Sequence, residues 1–198
     1  MINYATYSYE ENEHLYGPGK RLLLFTQGCS IRCKGCVNTH LWNFGEGTDA
    51  TAEEIVRLCE ANDIEGITLH GGEPLDQAEG LLEIAKSLKL KGKTVILFTG
   101  YTYKQLLLKS QRALWKIADI VVSGRYDESK RNIYLQFRGS TNQKIYCHKG
   151  KYENYKINDG ETVAILRLDQ KGNMTRRGFE TDELTALLSE LKITEIDS

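Results

Sequence analysis

The chain has little proline, little net charge and no long apolar run. Only two of its 198 residues are proline and no segment has the composition of a linker, which argues against extended spacers between domains. A formal net charge of −1 gives no global field that would attract nucleic acid or a membrane surface. No stretch is apolar for long enough to cross a bilayer, and residues 1–13 lack the apolar centre of a signal peptide. These absences predict a cytoplasmic protein with one substantial core, bound to neither nucleic acid nor membrane.

The five cysteines are not those of a disulfide framework, because their number is odd and three of them lie close together. Cys29, Cys33 and Cys36 have the spacing C-x3-C-x2-C. Such thiolates can converge on one polynuclear metal centre, and a cubane iron–sulfur cluster suits them because each corner iron takes one thiolate. Three cysteines leave one iron without a protein ligand. An open position of this kind is where a substrate or cofactor can bind.

A structural zinc site is the alternative interpretation of the same stretch. His40 lies four residues after Cys36, so that a closed Cys3His tetrahedron is stereochemically feasible. The other two cysteines need no metal. Cys59 falls on the apolar face of a predicted helix and is expected in the core, whereas Cys147 is interpreted as incidental.

The apolar pattern between residues 22 and 122 predicts strands that alternate with helices. The predicted strands span residues 22–25, 64–70, 94–98 and 119–122. The predicted helices span residues 51–62, 76–89 and 103–118. Strands separated by helices imply parallel pairing with crossover connections, and hence an α/β fold with a mostly parallel sheet.

Four loops of unusual composition each follow one of these strands. They are residues 27–38, 71–74, 99–101 and 123–126. Because loops after parallel strands gather at one edge of the sheet, these four are predicted to line a single cavity. A structural zinc knuckle does not need three more loops at the same rim, so the convergence favours the iron–sulfur interpretation.

The C-terminal part of the chain has a different pattern. Residues 162–168 and 174–179 are predicted to form a β-hairpin, and residues 181–191 a closing helix. The chain therefore divides into a core at residues 1–148 and a C-terminal extension at 149–198 that packs on it. Residues 125–156 hold eight Lys and Arg against three Asp and Glu, which indicates a basic surface.

The four loops carry groups suited to one particular kind of ligand. The sequence GGEP at 71–74 offers unobstructed backbone, with Glu73 beside it for an ammonium. Thr99 can hydrogen-bond a ribose, and Arg125 is a fixed cation for a carboxylate. His70 is interpreted as a strand-end histidine with partners inside the protein. An amino acid and a nucleoside beside an iron with an open position describe S-adenosylmethionine on a [4Fe–4S] cluster.

With these motifs the sequence resembles the radical S-adenosylmethionine superfamily, and within it the activating proteins of anaerobic ribonucleotide reductase. The cysteine spacing is similar to the superfamily signature, and Gly35, Asn38 and Trp42 are similar to the reductase activases. Further similar motifs occur in the family's order at residues 17–21, 71–74, 99–101, 123–126 and 138–143. The resemblance covers about residues 14–145.

Three features depart from the family pattern. Val37 stands where an aromatic residue is frequent, and Ser123 where an acidic residue is frequent. Residues 150–198 extend beyond a minimal activase, and an added hairpin and helix bear on which substrate the protein accepts.

The resemblance implies a partial (β/α) barrel and a specific oxidoreductase reaction. A flavodoxin- or ferredoxin-type protein would reduce the cluster, S-adenosylmethionine would be cleaved to a 5′-deoxyadenosyl radical, and a glycyl radical would form on a partner enzyme, anaerobic ribonucleotide reductase. The alternative is a radical enzyme that modifies a ribosomal peptide or a small molecule such as a deazapurine precursor.

The resemblance also implies the residues of the site. Cys29, Cys33 and Cys36 would hold the cluster. The expected contacts to S-adenosylmethionine come from Gly35, Val37, Asn38, Gly71, Gly72, Glu73, Thr99, Ser123 and Arg125. The partner surface is predicted within the basic region, at Lys130, Arg131, Arg138 and Asn142.

Overall fold

A computed structural model of the chain describes residues 1–168, 174–178, 181, 184 and 186. A seven-stranded sheet forms its centre, in the strand order β3-β1-β2-β4-β5-β6-β7. The strands are β1 (Ile2–Glu10), β2 (Arg21–Thr26), β3 (Thr48–Ala50), β4 (Gly66–Gly71), β5 (Thr94–Thr99), β6 (Ile120–Ser123) and β7 (Lys144–Cys147). The neighbours β2, β4, β5 and β6 are parallel, and β1, β3 and β7 are antiparallel to their neighbours.

The four parallel strands at the centre of the sheet coincide with the four that the apolar runs predict. They are covered on both faces, which explains why their sequences are continuously apolar. Of the antiparallel strands, β3 and β7 were not predicted as elements, since their polar and half-exposed residues show no apolar run. The sheet is therefore mixed, with a parallel centre and antiparallel edges.

The helices of residues 1–168 are α1 (Glu13–Tyr16), α2 (Ala52–Glu60), α3 (Ala78–Leu90) and α4 (Lys109–Ile117). α2, α3 and α4 pack on one face of the sheet, whereas α1 contacts the segment on the other face, where the Phe137 N–H donates to His14 O. The predicted capping box starts α2, because Thr51 Oγ1 accepts from the Glu54 N–H while the Glu54 carboxylate accepts from the Thr51 N–H. The predicted helix at 103–118 is a short turn at Tyr103–Gln105 followed by α4. Cys59 is fully buried in the core between these helices and the sheet, as predicted.

The segment that follows β6 covers the second face of the sheet near β5 and β6. No α-helix follows β6 in the described chain up to residue 168. Instead residues 124–143, with one 3-10 turn at Glu128–Lys130, lead into β7, and Phe137 and Tyr152 pack on Ile120 and Val122. Tyr152 also donates from Oη to Glu65 Oε1 over 2.8 Å, at the end of the sheet where the parallel strands begin. The alternation of parallel strands and α-helices therefore ends at β6.

Two further strands lie beyond the central sheet. β8 (Ala164–Leu168) and β9 (Met174–Gly178) pair antiparallel as a separate two-stranded sheet. The predicted turn at 169–173 and most of the predicted helix at 181–191 lie outside the described residues. Among the residues that are described, no helix has both the length and the apolar character needed to cross a membrane.

Candidate functional site

The three clustered cysteines lie on the loop that follows β2. Its ends are joined by backbone hydrogen bonds, from the Gly28 N–H to Leu41 O (2.9 Å) and from the Cys29 N–H to Trp42 O (3.1 Å). All three thiols are free; Cys29 is buried, and Cys33 and Cys36 are half-buried. The loop therefore presents three thiols from one closed stretch of chain.

A tight turn places the second and third of these cysteines. The Cys36 N–H donates to Cys33 O over 3.2 Å, and Gly35 between them has a φ of 74°, a conformation that glycine adopts without strain. A Cβ on Gly35 would lie 2.9 Å from the carboxyl carbon of Glu128, and Lys34 Nζ lies 3.6 Å from Glu128 Oε2. The turn is thus packed against the residues that follow β6.

The loop after β6 also faces Cys33 directly. Burial raises the pKa of the Cys33 thiol, and a backbone hydrogen bond from Tyr126 and the charge of Arg125 act in the opposite direction. Arg125 itself is exposed. The first and fourth predicted loops therefore lie side by side, with a cation near the second cysteine.

The glycine pair after β4 lies against the start of the cysteine loop. The Gly72 N–H donates to Thr26 O (2.8 Å), and the Glu73 N–H donates to Gly28 O (2.9 Å). Added Cβ atoms would lie 2.6 Å from the backbone nitrogen of Thr26 at Gly71 and 2.1 Å from Gly28 O at Gly72. These positions exclude side chains because two backbones approach closely here.

Glu73 is a buried carboxylate at the centre of the four loops. It accepts hydrogen bonds from the Leu75 N–H (2.9 Å), the Thr99 hydroxyl (2.7 Å) and the Gly100 N–H (2.8 Å). Burial raises the pKa of Glu73 to about 7, and the three hydrogen bonds only partly oppose this. A cationic ligand next to this carboxyl would favour its ionised form.

The loops after β5 and β6 are joined by hydrogen bonds of their own. The Gly124 N–H donates to Thr99 O (3.0 Å), and the Ser123 hydroxyl donates to Tyr101 O (2.9 Å). Thr99 Oγ1, which donates to Glu73, also accepts from the Tyr101 N–H over 3.1 Å. All four loops therefore meet at one edge of the sheet, as their positions after parallel strands predict.

One hydrogen-bonded group at this edge was not predicted. The Asp76 carboxylate accepts from the Ser30 N–H (2.7 Å) and the Ser30 hydroxyl (2.9 Å), and from the Tyr101 hydroxyl (3.2 Å). Ser30 follows Cys29 directly, so this group joins the cysteine loop to two other loops. No sequence pattern predicts these hydrogen bonds, because acidic residues are common at the start of a helix, where Asp76 lies.

The remaining predicted site residues lie at the rim. Val37 is 79% exposed, and Asn38 is half-buried next to it. Asn142 Nδ2 donates to Arg125 O over 2.8 Å, so its side chain holds the loop after β6.

The residues of the predicted partner surface differ in how exposed their side chains are. Lys130 is exposed and lies 2.9 Å from Asp127 Oδ2, and Arg131 is exposed. The Arg138 side chain is only 16% exposed and donates to both oxygens of Asp159. Among the four predicted residues, the exposed charges are therefore those of Lys130 and Arg131.

The residues at the cysteine loop fit an iron–sulfur cluster. Across residues 1–168 and the short described pieces beyond, no three His, Cys, Asp or Glu side chains are grouped as ligands of one metal ion, and His40 is exposed. Three free thiols along one loop suit a cubane whose irons each take one thiolate. The indole N–H of Trp42, whose carbonyl pairs with Cys29, is buried with no hydrogen-bond partner in the described chain. An unpaired donor in this loop fits a centre with sulfur acceptors.

Comparisons with known proteins agree with this chemistry. Residues 15–146 match the family model described as "4Fe-4S single cluster domain". The anaerobic ribonucleoside-triphosphate reductase-activating protein of Haemophilus influenzae is 33% identical over 157 residues, which cover 75% of this chain and 99% of that protein. The protein of the same name from Vibrio cholerae is 34% identical over 139 residues, which cover 66% of this chain and 89% of that protein.

A solved structure is also similar to this chain. It is the crystal structure of QueE from Escherichia coli, with a TM-score of 0.44 and 16% identity over 60% of this chain and 68% of that one. The match to the family model and the identity to the curated relatives settle the family. The chain belongs to the 4Fe-4S single cluster domain family and, within it, to the anaerobic ribonucleoside-triphosphate reductase-activating proteins.

Proposed function

We propose that the chain is a radical S-adenosylmethionine oxidoreductase that activates anaerobic ribonucleotide reductase by forming a glycyl radical on it. The observation that carries this proposal is the meeting of four loops around three free thiols, with a buried carboxyl at the centre. Relatives that carry the reductase in their names support the choice of partner.

Cys29, Cys33 and Cys36 would each bind one iron of a [4Fe–4S] cluster, so that one iron keeps an open position for S-adenosylmethionine. The bound cluster supplies the reductive cleavage of S-adenosylmethionine to a 5′-deoxyadenosyl radical, whereas the protein supplies binding and orientation. The closed cysteine loop fixes where the three ligands lie, because both of its ends are joined by hydrogen bonds.

Glu73 would bind the ammonium of S-adenosylmethionine. Its carboxyl is buried, and three N–H and O–H donors fix its orientation. The backbone of Gly71 and Gly72 would lie along the same group, at positions where no side chain obstructs it. Arg125, the exposed cation near Cys33, would bind the carboxylate.

The nucleoside would lie between the cysteine turn and the loop after β5. Thr99 Oγ1 uses its proton for Glu73 and one lone pair for Tyr101, which leaves one lone pair to accept from a ribose hydroxyl. The backbone of Gly35, Val37 and Asn38 would border the adenine. Ser123, whose hydroxyl donates to Tyr101 O, would hold this loop in place.

Residues around the site would contact the partner proteins. The exposed cations Lys130 and Arg131 would contribute most to the partner surface, with Arg138 and Asn142 supporting the segment from within. The reductant would be a flavodoxin- or ferredoxin-type protein in the cytoplasm. We further propose that the sheet is a partial barrel of the radical S-adenosylmethionine type, with the core at 1–148 and an extension at 149–198.

An anaerobic reaction tests this function. Reconstituted protein is mixed with reductant, S-adenosylmethionine and purified anaerobic ribonucleotide reductase, and electron paramagnetic resonance is recorded. We expect the doublet of a glycyl radical on the reductase, with deoxyadenosine as the second product. Deoxyadenosine that forms only when a ribosomal peptide or a small molecule is added, without any doublet, would overturn the proposal.

A further inference from the structure

Three aromatic rings lie side by side on the sheet face opposite α2, α3 and α4. They belong to Phe25 on β2, His70 on β4 and Phe98 on β5, with ring centroids 5.3 Å apart for the first pair and 4.5 Å for the second. We call these three residues the aromatic row. All three are half-buried, and each directly precedes the last residue of its strand. The row therefore runs along the sheet just before the four loops of the site.

Each end of the aromatic row has a cover. Phe137 packs edge-on against Phe98, with ring centroids 6.1 Å apart. At the other end, Arg177 on β9 lies over Phe25, with its guanidinium carbon 5.2 Å from the ring centroid. His70 in the middle accepts the Gly71 N–H at Nδ1 over 2.7 Å. Burial, and then the charge of Arg177, lower the pKa of His70 to about 4, so its ring is neutral near pH 7.

Arg177 has a hydrogen-bond donor that its contacts within the described part of the chain leave unused. Its Nε lies 3.8 Å from Glu10 Oε1, which is an ion pair but beyond hydrogen-bond distance. Its Nη1 is buried and has no hydrogen-bond partner among the residues that the structure describes. A buried donor without an acceptor is destabilising, and so it requires an explanation. The ion pair with Glu10 holds the hairpin to β1, but it does not explain why Nη1 is buried without an acceptor.

We propose that the aromatic row is the floor on which the glycine-bearing segment of the partner lies, and that Arg177 donates from Nη1 to a main-chain carbonyl oxygen of that segment. The inference rests on the proposed function. The helices cover the opposite face of the sheet, whereas the three rings of the row are half-buried, so a peptide can reach the sheet on the side of the row. The row offers three flat rings, two of them apolar, and Arg177 beside it offers an unpaired donor, which suits an extended backbone with a small residue.

The position of Arg177 makes this contact a property of the extension. The match to the family model ends at residue 146, and Arg177 lies on β9 beyond it. The hairpin thus adds a recognition group to a site that the core builds on its own. Removing that group should weaken binding of the partner protein more than it changes the metal centre.

Two substitutions and two controls test the inference in the full-length, reconstituted protein. Arg177→Ala removes the donor, and Arg177→Lys keeps the charge without the planar fork. Arg57→Ala removes an arginine from the exposed face of α2, where it pairs with Glu53. Glu10→Gln removes the ion-pair partner of Arg177 and so tests the tether. Iron content and thermal unfolding are measured for each protein.

The readout is the glycyl radical formed per deoxyadenosine, as a function of reductase concentration. We expect Arg177→Ala to raise the half-saturating reductase concentration about 10-fold, because a hydrogen bond from a charged donor is lost. Arg177→Lys should lie between it and the wild type, and both controls should match the wild type.

The outcomes separate this inference from the function on which it rests. If the wild type forms the glycyl radical and Arg177→Ala needs no more reductase than it does, the role of Arg177 is wrong while the function stands. If Glu10→Gln loses as much as Arg177→Ala, Arg177 acts as a tether and the inference is also wrong. A wild type that makes deoxyadenosine but no glycyl radical overturns both.

Discussion

Glu73 concentrates the chemistry of the site in one carboxyl group. It lies in a buried position, receives three hydrogen bonds, and still has its pKa raised to about 7 by burial. Ionising it without a ligand is therefore costly near neutral pH. A ligand ammonium offsets that cost, so cofactor binding and the ionisation of Glu73 should be coupled.

The first prediction concerns this coupling. Below the raised pKa the carboxyl is protonated and has no charge for an ammonium, so the affinity for S-adenosylmethionine should rise as pH increases from 6 to 8. Below pH 7 the expected change is up to about 10-fold per pH unit. Equilibrium binding to the anaerobic, cluster-loaded protein measures it.

Two variants control that experiment. Glu73→Gln should bind at least about 10-fold more weakly, with no rise over this pH range, since the amide cannot ionise. Glu79→Gln, a change at an acidic residue in the first turn of α3, should keep the wild-type profile. A pH profile in Glu73→Gln like that of the wild type would show that another group controls binding.

Asp76 acts on the cysteine loop through both hydrogen bonds and charge. Its carboxylate receives two hydrogen bonds from Ser30, and its charge is one of the factors that raise the pKa of the Cys29 thiol, after burial and beside Glu73. A negative charge close to Cys29 disfavours addition of an electron to a cluster that this cysteine holds.

The second prediction follows from that charge. Asp76→Asn should raise the reduction potential of the cluster by on the order of 50 mV, because a negative charge close to a ligand is removed. Tyr101→Phe removes one hydrogen bond to Asp76 but no charge, and so should produce a much smaller change. A redox titration followed by paramagnetic resonance measures both, and equal potentials in all three proteins would contradict the prediction.

Site residues of a rare type could be predicted from the sequence, whereas site residues of a common type could not. Three cysteines in one loop and a glutamate after two glycines stand out in any sequence. The carboxylate of Asp76 and the amide of Asn142 do not, because their roles depend on which backbone groups the fold brings within reach. The hydroxyl of Thr99 was predicted to face the ribose, and the structure shows that its proton is donated to Glu73.

At the scale of elements, the segment after β7 divides into two parts that pack differently. Residues 151–160 complete the core: Tyr152 is buried against the sheet, and Tyr155 Oη accepts from Gln136 Nε2 over 2.7 Å. β8 and β9 instead form their own two-stranded sheet and bring Arg177 over the aromatic row. Within the proposed extension, residues 151–160 thus pack on the core, whereas β8 and β9 pair with each other.

The third prediction compares two truncations. A chain that ends after Gly160 should keep its cluster and unfold within about 3 °C of the full-length protein, because the packed tyrosines remain. A chain that ends after His148 should unfold about 10 °C lower or fail to fold, since burial of two aromatic side chains is lost. Thermal unfolding and iron content distinguish them, and equal stability of the two truncated chains would contradict this division.

Some of the strands could be predicted from the sequence and others could not. Runs such as residues 22–25 are apolar because both faces of the strand are covered, and their pattern is clear in the sequence. β1 is nine residues long, but its polar and tyrosine-rich sequence lies at the edge region of the sheet, where half-exposed residues are tolerated. β7 is defined by its pairing with β6, a contact that no local pattern encodes.

At the scale of the whole molecule, the parallel order of β2, β4, β5 and β6 determines the site. Each strand ends at the same edge of the sheet, so four loops that are distant in sequence come together. This convergence follows from topology and could be predicted from the sequence. The cover on the opposite sheet face could not, because residues 124–160 have no repeated pattern and are placed by contacts with the finished sheet.

The central claim is that three cysteines hold a cluster and leave one iron open to S-adenosylmethionine. Electron–nuclear double resonance on the reduced, anaerobic protein tests it most directly, with cofactor labelled by ¹⁷O in its carboxylate or ¹⁵N in its amino group. The account predicts about four irons per chain and a hyperfine coupling from both labels. A protein that binds a single zinc ion, or a reduced cluster whose spectrum shows no coupling to either label, would contradict it.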